Sequence, residues 1–288
     1  MTAIFDRIAI LGAGLIGASI ARAARAMGAA DAIALYDVSA SVRTRARELA
    51  LGEVFDGAEA AAANADLIVL ATPVGAMGAA MQAAAAGLKQ GAIVTDVGSV
   101  KAAVAAAVSA HLPAHAFFVP GHPIAGTEHS GPDAGFATLF KGRWHILTPL
   151  PDARLDYAAA VDRLEAFWRM LGADVERMDP ERHDVVLAVT SHLPHLIAFN
   201  IVAMAEDLES VTESEVVKYS ASGFRDFTRI AASDPTMWRD VFLNNRDAVL
   251  EVLGRFSEDL AALQRAIRWG EGDALYDLFD RARRMRRE

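Results

Sequence analysis

The stretch "RIAILGAGLIGAS", Arg7 to Ser19, decides the fold. A short apolar run enters a turn carrying Gly12, Gly14 and Gly17 in G-x-G-x-x-G spacing, and a helical pattern opens directly behind it. The next apolar run, "AIALYD", closes on an acid, Asp37. The glycine spacing alone is a weak signal; strand before, helix after and acid beyond make it a strong one. Gly12 permits a tight turn, Gly14 lets backbone approach a pyrophosphate, and Gly17 lets the helix lie close against the strand. The helix N-terminus then faces the anion with its unpaired N–H groups.

Outward from that turn the first part of the chain alternates apolar strands with helices. "DLIVLATP", "AIVTDVGS" and "AFFVPGHP" read as further strands, and "GRWHILTPL" and "GADVERMD" as two more around a helix from Tyr157 to Leu171. Strands that are apolar throughout and separated by helices indicate a parallel sheet covered on both faces. From Pro180 onward the apolar spacing is helical. The expected fold is therefore α/β: a doubly wound Rossmann-type nucleotide-binding domain at 1–179, followed by an all-helical domain at 180–288. A helical domain with so little core of its own is expected to pack against a second copy, giving a homodimer.

Composition narrows the function. The net charge of −9 argues against a nucleic-acid surface. The basic ending "RARRMRRE" suits the C-terminus of a solvated helix. There is no cysteine, which excludes disulfides, thiolate zinc sites and a cysteine nucleophile. The N-terminal residues lack the basic-then-apolar pattern of a secretory leader, so a cytoplasmic location is expected. Leu67 to Leu88 is uncharged and long enough to span a bilayer, but Pro73, Gly75, Gly78 and Gln82 make it a strand, a turn and an alanine-rich helix.

Ligands of open α/β sheets bind along the carboxyl edge of the strands. That places Gly12, Gly14, Leu15, Ile16, Gly17, Asp37, Thr72 and Pro73 around a dinucleotide. Asp37 suits the ribose hydroxyls of NAD and repels the 2′-phosphate of NADP, although Arg43 and Arg45 could weaken that preference by folding back. Ser99, in "DVGSVK", stands at the same edge. So does His122, in "PGHPIAGTEHSG", at the nicotinamide end. A histidine is the natural base for a hydroxyl proton while hydride leaves the same carbon. In the helical part, "TSHLPH" supplies His192 and His195, and "GFRDFTRIAASDPTMW" supplies Arg225 and Arg229. These two arginines stand four apart and would share a helix face, ready to bind carboxylates. His192 and His195 form a metal half-site without further ligands, so no metal is expected.

Taken in order, "GAGLIG", "DVGSVK", "GHPIAGTEHSG", "TSHLPH" and "GFRDFTRIAASDPTMW" resemble the prephenate/arogenate (cyclohexadienyl) dehydrogenase family of tyrosine biosynthesis. The resemblance implies an NAD-dependent oxidative decarboxylation of prephenate to 4-hydroxyphenylpyruvate, of arogenate to tyrosine, or of both. It implies that His122 bonds the substrate's ring hydroxyl, with Ser99 assisting. Arg229 would bind a substrate carboxylate and His195 would line the side-chain end of the pocket, with Arg225 beside them. Glu128 would gate or polarise the pocket, and Trp238 would approach it from a partner subunit. His129 reads as surface decoration. Two alternatives remain. One is a β-hydroxyacid dehydrogenase of the 6-phosphogluconate type, which would use Lys218. The other is a non-catalytic NAD-responsive binding protein.

Overall fold

A computed structural model describes residues 2–212 and 222–287. Six parallel strands form the first sheet: β1 (Phe5–Leu11), β2 (Ala30–Tyr36), β3 (Glu53–Val54), β4 (Leu67–Leu70), β5 (Ile93–Asp96) and β6 (Phe117–Phe118). Their order is β3-β2-β1-β4-β5-β6. The order reverses between β1 and β4, and the crevice outside their carboxyl ends is where such sheets bind ligands. Register sets Leu11 beside both Tyr36 and Leu70, and Leu70 beside Asp96. The glycine turn, Asp37, "ATPV" and "DVGSVK" therefore leave the sheet along one edge.

Apolar side chains on both strand faces require two covering layers. One face carries the core of Phe5, Ile8, Ile10, Phe140, Phe167 and Trp168, closed by the helices Leu15–Met27 and Tyr157–Met170. The other carries Ile68, Leu70, Met77, Met81, Val94 and Val104 beneath alanine-rich helices. Each fully buried large side chain stabilises by roughly 1.5–3 kcal/mol. Small alanine side chains let the covering helices sit close to the sheet.

"AFFVPGHP" is not one strand. It breaks at Pro120 into β6 and a separate strand, β7 (Gly121–Pro123). Proline has no N–H for a central ladder, so the chain leaves the parallel sheet there. β7 pairs antiparallel with β8 (Trp144–Leu147), which pairs parallel with β9 (Asp174–Arg177). The two later strands thus build a second, three-stranded sheet. His122 sits within β7, opposite Ile146, instead of following a strand of the parallel sheet.

β9 is the last strand among the described residues, and Asp179 caps the helix Pro180–Leu187 through its side chain. That helix runs through a π turn, Ala188–His192, into Leu193–Thr212. The run Pro180–Asp207 is long and apolar enough to cross a membrane by length and composition. It buries His183, Asp184 and His192, and Asp184 bonds to the start of the helix Ala102–Ser109, while Val185, Val189 and Met204 stay exposed. Leu67–Leu88 is a strand, a short 3-10 turn and a helix, as its composition indicates. The helix Pro235–Asn244 sends Trp238 and Val241 into the second core, and Asp240 lies against Gly75 of the "ATPV" turn. The helical part thus packs over the carboxyl edge of the sheet.

Candidate active site

The glycine turn has the geometry its spacing implies. Gly12 has φ +105°, and a Cβ there would meet the Ala71 carbonyl oxygen at 2.4 Å. A Cβ on Gly17 would meet the Gly12 carbonyl oxygen at 1.9 Å, so helix and turn are in direct contact. A Cβ on Gly14 would touch nothing within 4 Å, although Gly14 caps the helix. Its bareness serves no packing need of the chain; it fits a cradle for a ligand at a helix N-terminus. Leu15 and Ile16 form the first helical turn beside it. Asp37 accepts from the N–H of Ala13 (2.9 Å) and of Ser39 (2.9 Å), which ties the end of β2 to the turn. The Thr72 hydroxyl is buried with no partner among the described residues, while Pro73 is exposed. These groups suit a dinucleotide.

Arg43 does fold back. It donates to the carbonyls of Asp37 (2.8 Å) and Val38 (3.1 Å), with its charge paired to Asp56 at 3.2 Å. Arg45 turns instead to Asp133, at 2.6 Å.

The second group of residues converges from distant segments. Lys101 and Asp96 form a fully buried ion pair behind β7. Asp96 also accepts from the N–H of Gly98 (2.8 Å) and of Gly121 (3.2 Å), and Lys101 Nζ donates to the Gly121 carbonyl at 2.6 Å. Both backbone groups of the residue preceding His122 are therefore held by one buried pair. A Cβ on Gly121 would meet His145 Nε2 at 2.6 Å, and that ring stacks on Trp168 with centroids 3.8 Å apart. The base of His122 is fixed from three sides. Burial draws the Lys101 ammonium below its usual pKa, against the opposing pull of Asp96.

His122 Nδ1 lies 2.9 Å from His183 Nε2, and His183 Nδ1 lies 2.9 Å from Asp184 Oδ1. Asp184 in turn accepts from the N–H of Lys101 (2.7 Å) and of Ala102 (2.9 Å), at the start of the helix Ala102–Ser109. Burial holds His122 well below the usual histidine pKa, with the His183, Lys101, His145 and His192 rings and charges adding to the effect. His183 is also lowered by burial, although Asp184 pulls it back up. Burial thus favours the neutral form of both rings.

His192 is buried, takes a hydrogen bond from Asn245 at 3.0 Å and is pushed by burial to a pKa of about 4. The backbone of Ser99 faces its ring. His195 Nδ1 donates to the Ser191 carbonyl at 2.8 Å. Its ring stacks on Trp238, with centroids 3.8 Å apart. Burial lowers the pKa of His195, and the nearby Arg229 charge lowers it further. Trp238 is thus buried against a histidine of its own chain, in contrast to the expected approach from a partner. Arg229 lies 3.7 Å from Glu128, both exposed. Arg225 and Arg229 do not share one regular helix: Ser222–Thr228 ends before Arg229, which opens a 3-10 turn. Arg225 is exposed. His129 is exposed, and its backbone N–H donates to the Thr127 hydroxyl. Lys218 lies outside the described residues. Among the described residues no three potential ligands gather to hold a metal ion.

Sequence reasoning missed His183, Asp184, Lys101, Asp96 and Asn245. "RHDVV" carried a usable signal: an adjacent His–Asp pair inside an apolar helix, where charge is rarely buried without a partner.

Comparison with known proteins places this geometry. Residues 20–177 match the family model for the prephenate dehydrogenase nucleotide-binding domain, and residues 179–281 match that for the prephenate dehydrogenase dimerization domain. The chain is 45% identical over 284 residues to a cyclohexadienyl dehydrogenase of Zymomonas mobilis, covering 98% of this chain and 96% of the relative. It is 33% identical to prephenate dehydrogenase of Bacillus subtilis, covering 98% of this chain and 75% of that one. Among solved structures, prephenate dehydrogenase from A. aeolicus in complex with hydroxyphenyl propionate and NAD+ superposes with a TM-score of 0.89. The identity there is 33%, with 98% of this chain and 97% of that chain covered. Synechocystis arogenate dehydrogenase superposes at 0.77 with 27% identity, covering 96% of each.

Proposed function

The chain belongs to the prephenate dehydrogenase family, and from that premise we propose that it oxidatively decarboxylates prephenate, arogenate or both with NAD. The observation that carries the reading is His122, a histidine held towards its neutral form by burial, clamped by a buried ion pair and bonded through His183 to Asp184. The whole similarity of the chain to dehydrogenases of both substrates supports the same reaction. NAD, held at the glycine turn, supplies the hydride acceptor.

Each residue then has a task. His122 accepts the ring hydroxyl proton as the hydride leaves that carbon. The bond to the ring carboxylate breaks, carbon dioxide departs, and its electron pair passes through the ring to the oxygen. The resulting phenolate takes the proton back from His122. Substrate hydroxyl and product phenol carry the same proton count, so the histidine borrows a proton and recovers its starting state. Ser99 assists the same hydroxyl. Arg229 binds a substrate carboxylate as a charge-assisted donor. His195, braced by Trp238, lines the side-chain end, and Arg225 and Glu128 border the entrance. The enzyme works by positioning and charge placement.

The boundary between nucleotide-binding and helical domains is placed at Asp179. The helical domain carries the contact with a second copy, and the enzyme acts in the cytoplasm as a homodimer. The test is NADH formation on adding prephenate or arogenate to the folded, NAD-binding protein. Activity with either supports the reading, and silence with both contradicts it.

A further inference from the structure

Three side chains in a row, His122, His183 and Asp184, form a hydrogen-bonded line that ends at a buried carboxylate. The protons on that line can be assigned from the groups that flank it. Both Asp184 oxygens accept from backbone N–H groups, Lys101 on Oδ1 and Ala102 on Oδ2. A carboxylate in that setting only accepts, so the His183 Nδ1 opposite it carries the hydrogen. A neutral imidazole with a hydrogen on Nδ1 has its lone pair on Nε2. His183 Nε2 therefore accepts, and His122 Nδ1 must donate to it. The consequence falls on the far side of the His122 ring: Nε2 carries the lone pair. It has no hydrogen-bond partner among the described residues.

We propose that His183 and Asp184 are positioning residues that fix His122 in the tautomer with a bare Nε2, and that they steady the imidazolium formed during turnover. The proposal rests on the reading of His122 as the base. The line holds a proton without exporting it, because His183 and Asp184 are buried and Asp184 is saturated by the helix start. A dead end suits chemistry in which the borrowed proton returns to the product. The arrangement resembles in logic the histidine and aspartate of a serine-protease triad, with one more imidazole inserted between carboxylate and base.

Other groups face the line. Lys101, His145 and His192 lie near His122, and Lys101 and Asp96 lie near His183. The cationic Lys101 opposes protonation of both rings. Asp184 favours protonation of His183, to which His122 is bonded, and this makes Asp184 the group whose loss is easiest to read.

The test uses the full-length protein and two independent readouts. Asp184→Asn keeps the shape but removes the charge, and it sets an amide N–H₂ against Ala102 N–H or against both Lys101 N–H and His183 Nδ1–H. Nitrogen-15 spectra of histidine-labelled protein, with His122 assigned by difference from His122→Asn, report the tautomer directly and need no substrate. The wild type is expected to show His122 with a protonated Nδ1 and a bare Nε2.

Kinetically, Asp184→Asn is expected to lower kcat by about 10²–10⁴-fold while substrate KM changes by less than about threefold. Its acid limb in kcat/KM should move to lower pH, because a charge that favours protonation is gone. His183→Gln, whose amide oxygen can occupy the accepting position, is expected to retain at least about tenfold more activity than His183→Leu. The proposal is overturned by a bare Nδ1 in the wild type, by an unmoved acid limb in Asp184→Asn, or by equal activity of the Gln and Leu variants. Absence of any turnover by the wild type would overturn the proposed function instead, and would leave the nitrogen-15 result to decide the tautomer.

Discussion

The glycine turn and the histidine cluster both lie beyond the carboxyl ends of the parallel strands, and they are built by opposite means. At the turn, function comes from backbone: Gly12, Gly14 and Gly17 fall within six consecutive positions and work by lacking side chains. At the cluster, function comes from side chains brought together from Asp96, Lys101, His122, His183, His192 and Asn245. Backbone chemistry can be encoded locally. Side-chain chemistry needs the whole fold, including the packing of the helical part over the sheet edge. Damage should therefore separate cleanly: changes at the turn remove the cofactor and spare the cluster, and changes at the cluster remove turnover and spare the cofactor.

The largest expected effect is at the base. His122→Asn should lower kcat by about 10²–10⁴-fold, the usual worth of a general base, with NAD affinity measured by fluorescence titration unchanged. Next comes the clamp behind it. Lys101→Met leaves Asp96 buried and unpaired, and removing one partner of a buried pair costs about 3–5 kcal/mol. Urea unfolding should show that loss, whereas the same experiment on a surface pair such as Arg177–Asp162 should show less than about 1 kcal/mol.

Acid sensitivity sharpens the contrast. His192 has a folded pKa of about 4, below the unfolded value of about 6.5. Between these values the unfolded chain binds more protons, so stability falls as pH drops through that window. The expected loss is on the order of 3 kcal/mol for this group, and His192→Gln should flatten the slope. The turn contributes no such histidine.

Smaller effects come from the exposed ends of the site. Arg229→Ala removes the charge-assisted contact proposed for a substrate carboxylate, worth about 1.5–3 kcal/mol, which should raise substrate KM roughly 10–100-fold with kcat much less affected. At the opposite end, Asp37→Ser should weaken NAD by about tenfold. It should narrow the gap to NADP, since Arg43 already lies against the Asp37 carbonyl. Paired kinetics with both cofactors would show it.

The same contrast explains what was legible in the sequence. The strand–turn–helix at Gly12, the acid at Asp37, the parallel sheet and the change to helices near Asp179 follow from local pattern. The family motif singled out His122, and the structure sets it beside the buried Asp96–Lys101 pair. The break at Pro120 was visible as a proline but misread as the interior of a strand, because the apolar run on either side looked continuous. The helix carrying Arg225 ends one residue before Arg229, and element ends are where local pattern is least decisive. His183 and Asp184 stayed hidden because their meaning depends on partners some sixty to eighty residues away.

The most direct test of the two-region account is the stoichiometry of NADH to carbon dioxide when the protein turns over prephenate or arogenate. The expected result is one NADH formed per carbon dioxide released, with both lost together in His122→Asn. Folded protein that binds NAD yet forms neither product from either substrate would contradict it.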